Sequence, residues 1–184
     1  MGKVLLGLTV SLDGFINDRH GRVDRLYPDL GALRDTELLQ DSIKRTGAVV
    51  MGRHTYAMGD PDSYADQYEY QAPIFVVTHA VPDQRPKEND RLRFTFVTDG
   101  IESAIVQAKA AAGDKDVTVV GGANIAQQCL QARLLDELQI GIAPILLGGG
   151  LRPFDHIGTE RLELERIQVI ESPMRTDLRF RVVK

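Results

Sequence analysis

Hydrophobic positions along the 184-residue chain fall into two rhythms. Short apolar runs recur at "KVLLGLTV" (3–10), "GAVVM" (47–51), "PIFVVT" (73–78), "RFTFVT" (93–98), "DVTVV" (116–120) and "ELQIGIAPIL" (137–146). At 49–51, 74–77 and 117–120 Val, Ile, Phe and Met follow one another almost without a break. Strands buried on both faces have that composition. Between the runs, apolar residues recur at helical spacing. Leu38, Leu39, Ser42 and Ile43 predict a helix over 35–46. Ile101, Ala104, Ile105 and Ala108 predict one over 100–113, with Asp99 as an N-cap signal and Gly113 as its stop. Ile125, Cys129 and Leu130 predict a third over 124–135.

Strands alternating with helices of this length imply a largely parallel sheet. The last quarter breaks the alternation. Residues 148–160 read as loop, and strands at 161–171 and 176–184 follow with no helix between them. They predict an antiparallel hairpin joined around Ser172-Pro173. The expected fold is therefore a single α/β domain with about eight strands, helices on both faces and a C-terminal hairpin. The acidic stretch "GDPDSYADQYEYQAP" (59–73) reads as a solvated surface loop, with cover over part of a site as the other reading.

Composition narrows the function. A formal charge of −4 and a pI near 5.6 argue against a surface built to hold nucleic acid. Cys129 is the single cysteine, so there is no intramolecular disulfide and no metal-binding cysteine set. Its apolar neighbours suit a small core residue better than a nucleophile. The opening "MGKVLLGLTVSLDGF" is a strand pattern without a cleavage site, and no segment approaches the roughly 20 apolar residues of a membrane span. A cytoplasmic address and no membrane partner are expected.

In a parallel sheet, ligands gather at the carboxyl ends of the strands. Three of those ends carry chemistry suited to anions. "GRHTY" supplies Gly52, Arg53 and Thr55: a bare backbone, a guanidinium fork and a hydroxyl at a helix start. "THAVP" supplies Thr78 and His79. "GGAN" supplies Gly121, Gly122, Ala123 and Asn124, a side-chain-free approach to a helix N-terminus. Each alone can be an ordinary turn. It is not the GxGxxG fingerprint, and no acidic residue stands about 20 positions on. One ligand with several phosphates accounts for all three ends together, and a phosphorylated nicotinamide dinucleotide is such a ligand.

"VVMGRHTYAMGDP" and "VTVVGGANIAQQCLQARLLDELQI" resemble the two cofactor segments of dihydrofolate reductases. "TVSLDGFIND" (9–18) and "IAPILLGGG" (142–150) resemble the reductase domain of bacterial riboflavin biosynthesis, a branch of the same superfamily. The resemblance implies a stand-alone reductase domain that uses NADPH to reduce a small heterocyclic or ribosylated pyrimidine- or pterin-like substrate, and that pairs as a homodimer. It implies Gly52, Arg53 and Thr55 at the adenosine-side phosphates, and Thr78 and His79 near the 2′-phosphate. Gly121, Gly122, Ala123, Asn124 and Ile125 would wrap the pyrophosphate. Val10 and Ser11 would approach the nicotinamide, below a loop that begins at Asp13 and Gly14. A cofactor-binding protein without catalysis and a true dihydrofolate reductase are the other readings.

Two carboxylates are candidates for catalysis. Asp13 sits in "SLDG", a turn signal as much as a pocket mouth. Asp35 falls near the place of the substrate-facing carboxylate of dihydrofolate reductases, yet an N-cap for the helix over 36–46 is the favoured reading. His20, His54 and His156 are assigned to the surface. No metal is expected.

Overall fold

The computed structural model describes residues 2–28, 30–158, 161–172 and 174–183, the side chain of Leu30 aside. All eight anticipated strands form: β1 (Val4–Ser11), β2 (Thr46–Gly52), β3 (Ile74–Val77), β4 (Phe94–Val97), β5 (Asp116–Val119), β6 (Glu137–Ala143), β7 (Leu164–Glu171) and β8 (Thr176–Val182). They build one sheet in the order β4-β3-β2-β5-β1-β6-β8-β7. The ladders from β4 to β6 are parallel, and those joining β6 to β8 and β8 to β7 are antiparallel. The anticipated hairpin is therefore present. Ser172 donates from its N–H and its hydroxyl to the Arg175 carbonyl at its turn, while Pro173 lies outside the described residues.

The helices are α1 (Leu30–Arg34), α2 (Glu37–Arg45), α3 (Arg53–Tyr56), α4 (Tyr64–Gln67), α5 (Ile101–Ala112) and α6 (Ala123–Gln131). Their starts differ from the anticipated caps. Thr36, not Asp35, caps α2, its hydroxyl accepting from Leu39 N–H. Asp35 is exposed, one residue too early to reach those amides. Gly100 takes the N-cap position of α5 at φ 105°, which leaves Asp99 outside the first turn. Gly113 ends α5 at φ 62°, as anticipated.

Alternation along the strands divides the core in two. On one face Val4, Leu6, Val50, Val117 and Val119 pack beneath α5 and α6, with Cys129 fully enclosed. Burial pushes the Cys129 thiol up to about 12, which suits a core residue and not a nucleophile. On the other face Val49, Met51, Ile74 and Val76 pack against Leu39 and Ile43 of α2. Burying each such side chain stabilises by about 1.5–3 kcal/mol. Residues 59–73 are not a solvated loop. They hold α4, and Tyr64, Ala65 and Tyr70 are buried there. Tyr64 stacks on Tyr56 at 5.7 Å between ring centres, meets Phe94 edge-on at 5.3 Å and donates its hydroxyl to the Tyr56 carbonyl. The acidic residues between the tyrosines mask this core in the sequence. No helix of the described residues is long and apolar enough to cross a membrane.

Candidate functional site

A cleft of about 960 Å³ opens at the carboxyl ends of β1, β2, β3 and β5. Its size lies in the range of sites for a small molecule or cofactor. It gathers the three strand ends. Gly52, Arg53 and Thr55 line it from β2, Thr78 and His79 from β3, and Gly122, Ala123, Asn124 and Ile125 from the start of α6. The opposite wall comes from the loop after β1, through Ile16, Asn17, Val23 and Tyr27.

The glycines at these ends have different causes. A Cβ on Gly52 would lie 2.8 Å from Ile125 Cγ1, so packing alone requires glycine there. Gly121 has φ 99°, and a Cβ would lie 3.0 Å from Leu8 Cδ2. Its carbonyl accepts from Gly52 N–H at 2.9 Å, which locks the two loops together. The Gly121-Gly122 peptide is cis. Gly122 is different. Its φ of −76° is open to any residue, and a Cβ would stand in ordinary contact, 3.6 Å from Thr55 Oγ1 and 3.9 Å from Ile16 Cδ1. Beyond its chain neighbours, no packed side chain explains the missing Cβ. No side chain caps α6 at Gly122, so its first-turn amides face the cleft uncovered.

The charge on this wall has one sign. Among the described residues no Asp or Glu lines the cleft, whereas Arg53, His54 and His79 do. Arg53 contacts the His54 ring at 3.1 Å. Thr78 donates to the Ala80 carbonyl and accepts from Ala80 N–H, a turn that fixes its hydroxyl at the strand end. No cluster of metal-ligating side chains occurs among the described residues.

Several expected site residues lie elsewhere. Val10 and Ser11 are buried and off the cleft wall; Leu8 and Thr9, earlier on the same strand, line it instead. Ser11 is committed to the loop, donating to Asp13 Oδ1 at 2.6 Å and accepting from Phe15 N–H at 3.0 Å. Asp35 is exposed and off the wall, so its expected catalytic role is corrected. Asp13 is off the lining as well. It accepts from Ser11, from Leu147 N–H at 3.1 Å and from Gly148 N–H at 2.7 Å. The Ser11 hydroxyl first, then the Gly148 and Leu147 amides, outweigh desolvation and hold its carboxyl down to about 2. A carboxylate so tied is a clasp between the loop after β1 and the glycine run at 148–150. Gly150 packs so closely there that a Cβ would meet the Asn17 carbonyl.

One prediction follows from the clasp. Asp13→Asn puts an amide N–H against one of two backbone donors, so the Leu147 and Gly148 amides should exchange faster, measured by hydrogen exchange. The folded carboxyl lies below its ordinary value. The contact is therefore complete above about pH 4 and is lost as pH falls through about 2. A pH–rate profile from 5 to 9 should show no inflection from Asp13.

Comparison with known proteins bears on the fold and the family. The family model for the RibD C-terminal domain matches residues 2–175. An uncharacterized protein of Bacillus subtilis (strain 168), YyaP, is 25% identical over 177 residues, covering 90% of this chain and 86% of that one. A putative riboflavin biosynthesis protein from Shewanella sp. PV-4 superposes with TM-score 0.79 at 23% identity, over 99% of both chains. A diaminohydroxyphosphoribosylaminopyrimidine deaminase/5-amino-6-(5-phosphoribosylamino)uracil reductase from Thermotoga maritima gives TM-score 0.73 at 16% identity, over 99% of this chain and 57% of that one. Dihydrofolate reductase from Enterococcus faecalis, complexed with NADP(H), gives TM-score 0.64 at 14% identity, over 100% of this chain and 98% of that one.

Proposed function

The chain belongs to the RibD C-terminal domain family, and from that premise we propose that it is an NADPH-dependent reductase of a small heterocyclic acceptor. The fold supports a reductase in the coarse sense. The observation that carries the cofactor reading is Gly122, whose bare backbone faces the cleft where no packed neighbour requires it. A pyrophosphate lying against the α6 amides supplies that need. Arg53 and the turn at Thr78 and His79 then stand where a second, charged end of the ligand would lie. The absence of carboxylates from the described wall suits the same anion.

Bound there, the cofactor would supply a hydride. The chain's own residues would orient it and exclude water. Ile16, Val23 and Leu151 give the cleft an apolar side, and Asp18 braces the loop that carries the first two by accepting from the His20 and Arg22 amides. Arg22 and His20 hold the Asp18 carboxyl down to about 2, against desolvation, so the brace is ionised at neutral pH. The lack of a carboxylate among the described residues of the wall weighs against reduction of dihydrofolate itself. The proposed partners are the small acceptor and a second copy of the chain. Pairing would cover the exposed apolar residues Leu164, Ile167 and Val169 of β7.

Titration of NADPH and NADH by fluorescence tests this reading. NADPH should bind at least tenfold tighter than NADH. Arg53→Gln should weaken NADPH by about tenfold, the loss of one charge-assisted contact. Binding of neither dinucleotide would remove the proposal. Steady oxidation of NADPH with a substrate panel separates a reductase from a protein that only binds the cofactor.

A further inference from the structure

The wall opposite the anion-suited strand ends carries chemistry that phosphate contacts leave unused. Asn17 and Tyr27 line the cleft there, both from the loop after β1. Tyr27 is the one phenol ring on the wall among the described residues. It follows a 3-10 turn over Asp24–Leu26, and its N–H donates to the Asp24 carbonyl at 3.2 Å. Leu26 is 3% exposed and roots that turn against β1. Asn17 is held by a different part of the fold. Ile16 N–H donates to the Leu151 carbonyl at 2.9 Å, and Leu151 N–H donates in return to Asn17 Oδ1 at 2.8 Å.

The bond from Leu151 settles which way the Asn17 amide lies. A backbone N–H can only donate, so the amide oxygen stands against it and the amide nitrogen, with two donors, turns away. Neither that nitrogen nor the Tyr27 hydroxyl has a partner among the described residues, and neither is sealed from solvent. Thr9, another polar side chain of the lining, is already engaged. Its Oγ1 accepts from Arg175 at 2.9 Å, and Arg175 Nε donates to Asp177 Oδ2 at 2.8 Å. Ile16, Val23 and Leu151 add apolar surface, and no described Asp or Glu lines the cleft. A site of apolar surface with a few fixed polar groups chooses its ligand through those groups. Here they are an aromatic ring and an amide whose free side only donates.

We propose that Asn17 and Tyr27 select the acceptor molecule: Tyr27 is the platform for its flat ring, and Asn17 donates to a carbonyl oxygen carried on that ring. The inference rests on the cleft being the reductase site, and it names the edge that the acceptor presents there. An edge that offers only N–H groups, as an amidine does, meets Asn17 donor to donor and finds no described carboxylate to pair with. The Asn17 amide cannot turn over to suit such an edge without giving up the bond from Leu151. A fixed donor therefore favours the carbonyl and penalises the amidine through the same contact.

The test uses the full chain with NADPH present and two flat fragments of one shape as probes: benzamide, which offers a carbonyl oxygen, and benzamidine, which offers only N–H groups. Binding is followed by ligand-observed NMR. The unaltered protein should favour benzamide by about tenfold. Asn17→Asp keeps the oxygen that accepts from Leu151 and turns the free donors into an acceptor, so the order of the two fragments should reverse. A purely structural role for Asn17 would not produce that reversal. Tyr27→Leu should weaken both fragments by about tenfold, whereas Tyr27→Phe, which keeps the ring, should stay within about threefold. NADPH affinity should hold within about twofold in each variant. Should Asn17→Asp fail to fold, Asn17→Ala should still erase the preference for benzamide. The inference is overturned by an unchanged fragment order in the Asn17 variant, by unaltered affinities in Tyr27→Leu, or by a parent protein that binds neither fragment. A fragment order set by residue 17 in a protein that does not bind NADPH would remove the cofactor reading and leave this one standing.

Discussion

Gly122→Ala should leave the protein folded and weaken NADPH by roughly 100-fold, the equivalent of one to two charge-assisted hydrogen bonds at about 1.5–3 kcal/mol each. Apart from its chain neighbours, the added methyl meets nothing closer than 3.6 Å, and φ at Gly122 is ordinary. Thermal stability should therefore shift by no more than about 1 kcal/mol, with a small gain from the stiffer unfolded chain. The methyl would, however, stand between the ligand and the first-turn amides of α6. Gly52→Ala and Gly121→Ala are the controls. The first collides with Ile125, and the second strains a φ of 99°, so both should lower stability before affinity is in question. Affinity is read by fluorescence titration and stability by thermal melting. If Gly122→Ala binds NADPH as tightly as the parent chain, α6 does not receive the pyrophosphate.

This contrast also marks what could be read in advance. The three strand ends were legible because parallel topology alone brings them together once the strands are recognised, and β2, β3 and β5 were recognisable from their unbroken apolar runs. The glycines looked alike in the sequence, however. Only the register of Gly52 against Ile125, and the positive φ of Gly121, separate the two demanded by packing from the one that is not. Helix starts were misplaced by one residue at Asp35 and Asp99, because Thr36 and Gly100 fit the cap geometry as well and stand one step nearer the helix. The tyrosine core at 56–70 was hidden by intervening acids. Arg175 and Asp177 carried no local signal at all. Their contacts depend on Gly141 and Thr9, which lie 34 or more residues away and meet them only across the β8–β6 and β6–β1 ladders.

The largest loss of stability should come from the end of β6 away from the cleft. Glu137, at the start of β6, is 1% exposed. Lys3 donates to its Oε1, and Arg179 Nε donates to its Oε2 at 2.7 Å. Lys3 is half-exposed and can return to water, whereas the Arg179 side chain is 15% exposed and cannot. Glu137→Ala should therefore destabilise by about 3–5 kcal/mol, because it leaves Arg179 buried and unpaired. For a chain of this size that lowers the melting temperature by roughly 10 °C. The double change Glu137→Leu with Arg179→Met removes both charges and should recover most of the loss. Burial raises the Glu137 carboxyl, but the bonds from Lys3 and Arg179 outweigh it, and the folded value lies below the ordinary one. The stabilisation is thus present above the unfolded carboxyl's range, near pH 4.3, and disappears as pH falls through the lower folded value. In Glu137→Ala that part of the acid dependence should vanish from the melting curves. Glu137 sits at the amino end of its strand and the cleft at the carboxyl ends, so the folded fraction of the variant should still bind NADPH normally. An unchanged melting temperature would mean that Arg179 finds another partner when Glu137 is gone.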